Sequence, residues 1–445
     1  MRIAAIYPHV SVRNPSSPNN ALAVLLWETS RRLAMTDESV LVVGDSPGAP
    51  RSERIHGVRV VRIPILADQV VGQLRRLDGL VFRDPQRPFR STALYYRVFA
   101  ARAAHHLGPW MPDIVHVHAI PNFLPLLRRK LPSARLVLHA HDHRLADYEP
   151  EVIETMAANA DLILGCSRSV AGSIARQFPN LADRCSHVHN GVDDKFLAVG
   201  RRRRFWPEKL LFVGRVSPEK GVHTLIEAFR SVAAEFPGAT LDIVGPRELA
   251  PLQFVDPRGE DPKFDGLRRF YGHSADYDAY LRSLIPSRLF GRIRFRGSIP
   301  NTALGEEFSR AGIFVFPSIW QEPFGMPVVE AMGCGLPVIA TDAGAFPETI
   351  AHGRTGLLVE RGNVEALAAA LRRLLASDKE RARMGTAGYE RARSEFGWDT
   401  IVARLREQYR SLLAGGPQPR PTGVIGRPPA TSEPDAGRES PRYHH

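Results

Sequence analysis

The sequence predicts an α/β protein of two doubly wound domains, and three observations carry that prediction. The chain has 445 residues, more than one hydrophobic core ordinarily serves, so two domains of roughly 200 residues are expected. Short Val/Ile/Leu-rich runs alternate with amphipathic stretches almost throughout, as parallel strands do when crossover helices bury both faces of the sheet. The alternation comes as two series, divided near the basic run "RRRRFWPEK" (Arg201 to Lys209).

In the first series the strand candidates are "RIAAIY", "VLVVG", "DIVHVH", "RLVLHA" and "DLILGC", with the helical stretch "ALAVLLWETSRRLA" after the first of them. In the second they are "KLLFVG", "TLDIVG", "IRFRG", "GIFVFPS", "LPVIAT" and "GLLVE". Here "GVHTLIEAFRSVAAEF" and "NVEALAAALRRLLA" place apolar residues near a 3.6-residue period, the mark of an amphipathic helix. The expected boundaries are residues 1–195 for the first domain and 196–395 for the second. A last helix covers 396–413, with Trp398, Ile401, Val402, Leu405, Tyr409 and Leu412 at helical spacing. Residues 414–445 are rich in Pro, Gly and Ser and show no apolar period, so a disordered tail is expected there.

Composition limits the function classes. Hydrophobic residues make up 44% and charged residues 24%, the balance of a soluble globular protein. No run of about 18 apolar residues exists, and Met1 leads straight into a strand-like segment without a signal-peptide pattern. The three cysteines (Cys166, Cys185, Cys334) have neither metal-ligand nor disulfide-framework spacing, which suits a reducing cytoplasm. A net charge of +12 invites an anionic partner: a phosphorylated substrate, a membrane surface or nucleic acid. The run Arg201–Arg204 has no interleaved aromatics and no recognised motif, which argues against nucleic acid. It is read as a solvated linker or as peripheral contact with an anionic inner membrane face.

Two stretches carry the chemistry. In "FVGRVSPEKGV" (Phe212 to Val222) a strand ends at Gly214 and a helix begins near Gly221, with Arg215 and Lys220 bracketing the loop between them. Ligands of such sheets bind beyond the carboxyl ends of the strands, where Gly245, Gly297 and Gly344 also fall. A forked guanidinium, an ammonium and free helix-terminal N–H groups suit a diphosphate, although two solvated surface cations would give the same spelling. In "WQEPFGMPVVEAM" Pro327 fits the first turn of a helix, so the amides of Phe324, Gly325 and Met326 fall at its positive end. Glu322 precedes that helix and Glu330 lies inside it, too far apart in sequence to share a proton and better suited to two polyhydroxylated groups. The plainer alternative is that Glu322 caps the helix and Glu330 pairs with a lysine or arginine.

His139, His141 and His143 in "HAHDH" fall on one side if the strand continues that far. No HExxH and no Cys/His cluster accompanies them, so no metal site is expected. His116 and His118 in "DIVHVHAI" are read as alternating in face, one lining the cleft and the other in the core.

"GRVSPEKG", followed about a hundred residues later by "PSIWQEPFGMPVVEAMGCGLPVIATDAGAFPETI", resembles the retaining GT-B glycosyltransferases of family 4. The likeness continues through "GLLVERGNVEALAAAL" and is looser in the first half, through "DIVHVHAI", "LHAHDH" and "HNGVD". It implies two Rossmann-like domains facing a central cleft, with the last helix crossing back to the first domain. It further implies transfer from a nucleotide diphosphate sugar, a UDP-sugar being the favoured donor, to a hydroxyl of a glycan, lipid or natural product. By the resemblance, Gly214, Arg215 and Lys220 hold the donor diphosphate, Glu330 the ribose, and Glu322 with the amides of Phe324, Gly325 and Met326 the donor sugar. His141 lies near the anomeric carbon, with His139 as the second choice. No cofactor and no metal is implied beyond the donor. The rival of the same architecture is a nucleotide-sugar epimerase, which is not expected to carry both cations and both carboxylates. One departure stands out. The diglycine usual before the first helix is replaced by Asn20-Ala21, and Asn20 is expected to donate the hydrogen bond that bare backbone would otherwise give the donor phosphate.

Overall fold

The computed structural model describes residues 1–8, 21–45, 50–74, 89–147, 149–204, 206–256, 258–272 and 274–415. The first sheet contains β1 (Arg2–Tyr7), β2 (Glu38–Asp45), β3 (Arg51–Ile55), β4 (Val58–Pro64), β5 (Ile114–His118), β6 (Arg135–Ala140), β7 (Leu162–Gly165) and β8 (Cys185–His187). Their spatial order is β3-β4-β2-β1-β5-β6-β7-β8, parallel except for the β3–β4 hairpin. The second sheet contains β9 (Lys209–Val213), β10 (Thr240–Val244), β11 (Ile293–Gly297), β12 (Ile313–Phe316), β13 (Val338–Thr341) and β14 (Gly356–Val359). It is parallel throughout, in the order β11-β10-β9-β12-β13-β14.

Every apolar run singled out above is a strand, and burial explains why. All residues of β5 and β12 are buried, as sheets covered on both faces require. The hairpin and β8 carry no such signal. Four of the five residues of β3 are exposed, β4 interrupts its apolar run with Arg59 and Arg62, and β8 spans three residues. The hairpin turn is held by His56 and Gly57, both at positive φ (45° and 83°), as a tight two-residue connection needs.

The chain winds outward from β1 to β2 and then returns to β5 on β1's other side, and it repeats this with β9, β10 and β12. The crevices beyond β1/β5 and β9/β12 are therefore the topological switch points, where doubly wound sheets bind ligands. The two domains meet beyond the carboxyl ends of their strands. Cys166, just past β7, lies with Sγ 3.5 Å from the carbonyl of Pro323, just past β12. Glu348 of the second domain accepts from the amides of Arg168 (2.8 Å) and Ser169 (2.7 Å) in the first.

The last helix, Trp398–Leu413, packs on the first domain, its apolar face sharing a core with Ile3, Leu25, Ile114, Val137 and Leu164. Gly191 makes room for it, since a Cβ there would lie 2.3 Å from the Trp398 ring. The basic run is only partly a solvated linker. Arg203 turns inward and donates to the carbonyls of Cys334 (2.7 Å), Ala311 (2.8 Å) and Phe308. Burial lowers its pKa to about 10. No helix among the described residues is long and apolar enough to cross a membrane. Residues 416–445 and Asn20 lie outside the described residues, so the expectations for the tail and for the glycine-free loop are not addressed by the fold.

Candidate functional site

The second-domain half of the site is built on glycines that only glycine can supply. Gly245 has φ +144° and a Cβ there would lie 1.8 Å from the carbonyl oxygen of Gly214, so the ends of β9 and β10 close tightly. Gly221 has φ +70°, and its Cβ would lie 1.9 Å from the carbonyl oxygen of Pro317. This close approach sets the Pro218–Lys220 turn directly against the end of β12. The helix Val222–Val232 starts from it.

Lys220 is thereby carried onto Glu322. Its ammonium pairs with Glu322 Oε1, with both groups buried. Nζ also lies 4.9 Å from the centre of the Trp320 ring and 5.5 Å from that of Phe316. Ser318 Oγ lies 2.8 Å from the same Glu322 oxygen. Arg215, about a third exposed, donates to Glu219 Oε1 at 2.9 Å. The two predicted cations are therefore not free in the cleft; each is held by a carboxylate. Glu219 was not foreseen, since an acid inside "SPEKG" reads as a surface residue. It is fully buried, and its carbonyl accepts from the amides of Ile319 (2.8 Å) and Trp320 (3.1 Å). The turn is thus tied to the segment leading into Glu322.

Glu322 does not cap the following helix. Gly325 is the residue before Met326–Gly333, at φ +79°, with a Cβ position only 2.3 Å from the Phe346 ring. The amides of Phe324, Gly325 and Met326 meet no protein acceptor among the described residues. Glu330 is buried in that helix and pairs with no lysine or arginine among the described residues. Burial pushes its carboxyl up to about 7, against a partial opposing pull from Lys195.

Across the cleft, a cavity of about 90 Å³ is lined by Tyr7, Tyr95, Asn122, His141, Asp142 and Arg144, among others. His141 Nε2 lies 2.9 Å from His118 Nδ1, and burial lowers its pKa to about 4, so the ring is neutral at ordinary pH. Asp142, which burial alone would raise, is held below the usual carboxylate range by the Arg144 guanidinium. His139 is buried and does not line this cavity. His143 Nδ1 turns aside to Ser173 Oγ at 3.1 Å.

The alternating-face reading of His116 and His118 is wrong. Residues two apart on a strand share a face, and the rings stack with centroids 4.1 Å apart. His116 Nδ1 meets the Tyr409 hydroxyl of the last helix at 2.6 Å. Ring nitrogens of His116, His118 and His139 come within 4.8 Å of one another. The His116 ring lies only 11° from parallel to His139 and 23° from parallel to His118. Burial lowers the pKa of all three.

Two facing doubly wound domains, with a cation–carboxylate cluster on one side of the cleft and a polar cavity on the other, define a GT-B glycosyltransferase. The chain belongs to family 4 of these enzymes. The Glycosyltransferase Family 4 profile matches residues 22–196 and the profile of Glycosyl transferases group 1 matches residues 204–391. The chain is 30% identical over 441 residues to a D-inositol 3-phosphate glycosyltransferase of Streptomyces scabiei, covering 93% of this chain and 91% of that one. It is 28% identical over 326 residues to a glycogen synthase of Mycobacterium tuberculosis, 70% and 72% of the two chains. Among solved structures, sucrose-phosphate synthase of Thermosynechococcus elongatus superposes with a TM-score of 0.65 at 22% identity, covering 93% of this chain and 99% of that one. The Anabaena protein HepE in complex with UDP gives 0.63 at 20% identity, covering 92% and 100%.

Proposed function

We propose that the protein is a retaining, metal-independent hexosyltransferase that moves a sugar from a nucleotide diphosphate sugar, a UDP-sugar in the first instance, to an acceptor hydroxyl of a glycan, lipid or natural product. The observation that carries this reading is the pairing of Arg215 with Glu219 and of Lys220 with Glu322 at the β9/β12 switch point. Cations held in place before the donor arrives need little reorganisation when charge develops on a departing diphosphate. In this reading the open amides of Phe324–Met326 add to that stabilisation, Glu322 meets the donor sugar, and Glu330 meets the ribose hydroxyls. A Glu330 carboxyl poised near neutrality can both accept from and donate to a vicinal diol. The acceptor hydroxyl enters through the cavity beside His141, where a neutral imidazole orients it while the departing diphosphate takes its proton. UDP is favoured because HepE, of the same fold, was solved with UDP bound. In this reading the protein works in the cytoplasm, and the exposed Arg201, Arg202 and Arg204 meet an anionic membrane face.

The test is release of nucleoside diphosphate from UDP-, ADP- and GDP-sugars with and without polyhydroxylated acceptors. Acceptor-dependent release with a retained anomer is expected. Interconversion of the donor without acceptor would establish the epimerase instead. Arg215→Ala is expected to lower turnover about a hundredfold, the loss of a charge-assisted contact of about 2–3 kcal/mol. Parent-like turnover and donor affinity in that variant would overturn the diphosphate assignment.

A further inference from the structure

The long connection between Val244 and Ile293 adds a wall to the donor side of the cleft. Ala250, Val255 and Phe264 form a small apolar cluster with Ile319, and Leu267, Tyr271 and Trp320 pack onto it. Arg361 fastens the two parts, donating to Asp261 Oδ2 (2.7 Å) and to the carbonyl of Ile319 (2.8 Å). Tyr271 is therefore set in a packed surface beside Trp320, and its hydroxyl donates to Glu219 Oε2 at 3.0 Å.

We infer that Tyr271 is a positioning residue for the donor diphosphate, acting through Glu219 on Arg215. The inference rests on the reading that Arg215 meets the diphosphate. Glu219 has no exposed surface, so both carboxylate oxygens need protein donors. Arg215 Nη2 serves one and the Tyr271 hydroxyl serves the other. The division of labour matters. A guanidinium beside a carboxylate tends toward a two-pronged pair that uses both oxygens. With the Tyr271 hydroxyl turning the carboxylate through Oε2, Arg215 is held by a single prong at Oε1, and its other N–H groups meet no protein acceptor among the described residues. Those groups are what a phosphate would use. Without the Tyr271 hydroxyl, Glu219 draws Arg215 into the two-pronged pair, and the phosphate loses a donor.

The experiment is calorimetric titration of the full chain with whichever of UDP, ADP and GDP it binds most tightly, and with the matching monophosphate as control. Tyr271→Phe keeps the ring in its packed surface. It is expected to weaken the diphosphate about five- to tenfold while leaving the monophosphate within twofold, with a matching rise in donor KM. A purely structural role would weaken both nucleotides alike or lower Tm without altering their ratio. If Arg215→Ala weakens the diphosphate and Tyr271→Phe does not, Tyr271 has no positioning role. If Arg215→Ala itself binds the diphosphate as the parent does, or if the parent binds none of the three, the diphosphate reading fails and the inference falls with it.

Discussion

Glu330 is buried beside Lys195, yet that lysine is engaged elsewhere, with Asn301 Oδ1 and with Asp193 at 3.5 Å. Burial therefore dominates and raises the carboxyl from 4.5 to about 7. The sign follows from linkage. A carboxyl whose folded pKa is raised costs nothing below its unfolded value, costs progressively more between the two values, and costs the full amount above the folded one. Glu330→Gln removes that penalty. The variant is expected to match the parent near pH 4 and to exceed its stability at pH 8 by on the order of 3 kcal/mol. It is also expected to bind the donor less tightly, because a site that stabilises the fold and a site that holds a diol make different demands on one side chain. Denaturant melts at both pH values check the first point, and a stability difference independent of pH would refute it. At this scale the sequence offers candidate residues, and their partners are not legible in it. Arg215 meets Glu219 only four residues on, whereas Lys220 meets Glu322 because Gly221 and Ser318–Trp320 bring the Pro218–Lys220 turn against the end of β12, contacts across about a hundred residues of chain. No local pattern reports such contacts.

At the scale of elements, long buried strands were readable because their apolar runs are continuous, whereas the β3–β4 hairpin alternates charge with Val and Ile and gives no such run. Helix ends were less readable still when their partners lie in the other domain. The helix Arg168–Gln177 satisfies one terminal amide locally, through Ser167 Oγ accepting from Val170 at 3.1 Å. Glu348 takes the next two, at Arg168 and Ser169, and also meets His189 Nε2 at 3.0 Å. Burial would raise this carboxyl, but the His189 bond and the two amides outweigh it and hold it below the usual carboxylate range. Its contribution is then present above the unfolded pKa and lost as pH falls through the lower folded one. Glu348→Gln turns an amide donor toward N–H groups that need an acceptor. It is expected to cost about 1–3 kcal/mol at pH 7, with the difference from the parent shrinking below about pH 4. Equal thermal stability of parent and variant at pH 7 would show that the two domains do not depend on this contact.

At the scale of the whole molecule, chain order and spatial order part at the last helix. The last helix follows the second domain in sequence and completes the first in space. Trp398, Ile401, Val402, Leu405, Tyr409 and Leu412 are all buried, mostly against residues of the first domain. Polar ties reinforce the seam, with Arg406 on Asp37 and Arg32 on Asp399, each at 2.9 Å. Covering six such side chains is worth on the order of 10 kcal/mol, comparable to the entire stability of a typical domain. A chain ending at Gly397 is accordingly expected to lose the first domain while the second stays folded, since the core of the second sheet draws nothing from this helix. Limited proteolysis should then cut within residues 1–195 and spare residues 209–396. The shortened protein should still bind the nucleotide diphosphate through Arg215 and Lys220 but show no transfer. A chain ending at Gly415, which keeps the helix, should retain the parent's Tm. Survival of the first domain in the shorter chain would mean that the helix rests on a sheet that is already complete without it, and the apolar seam would then be an interdomain tie with no part in folding.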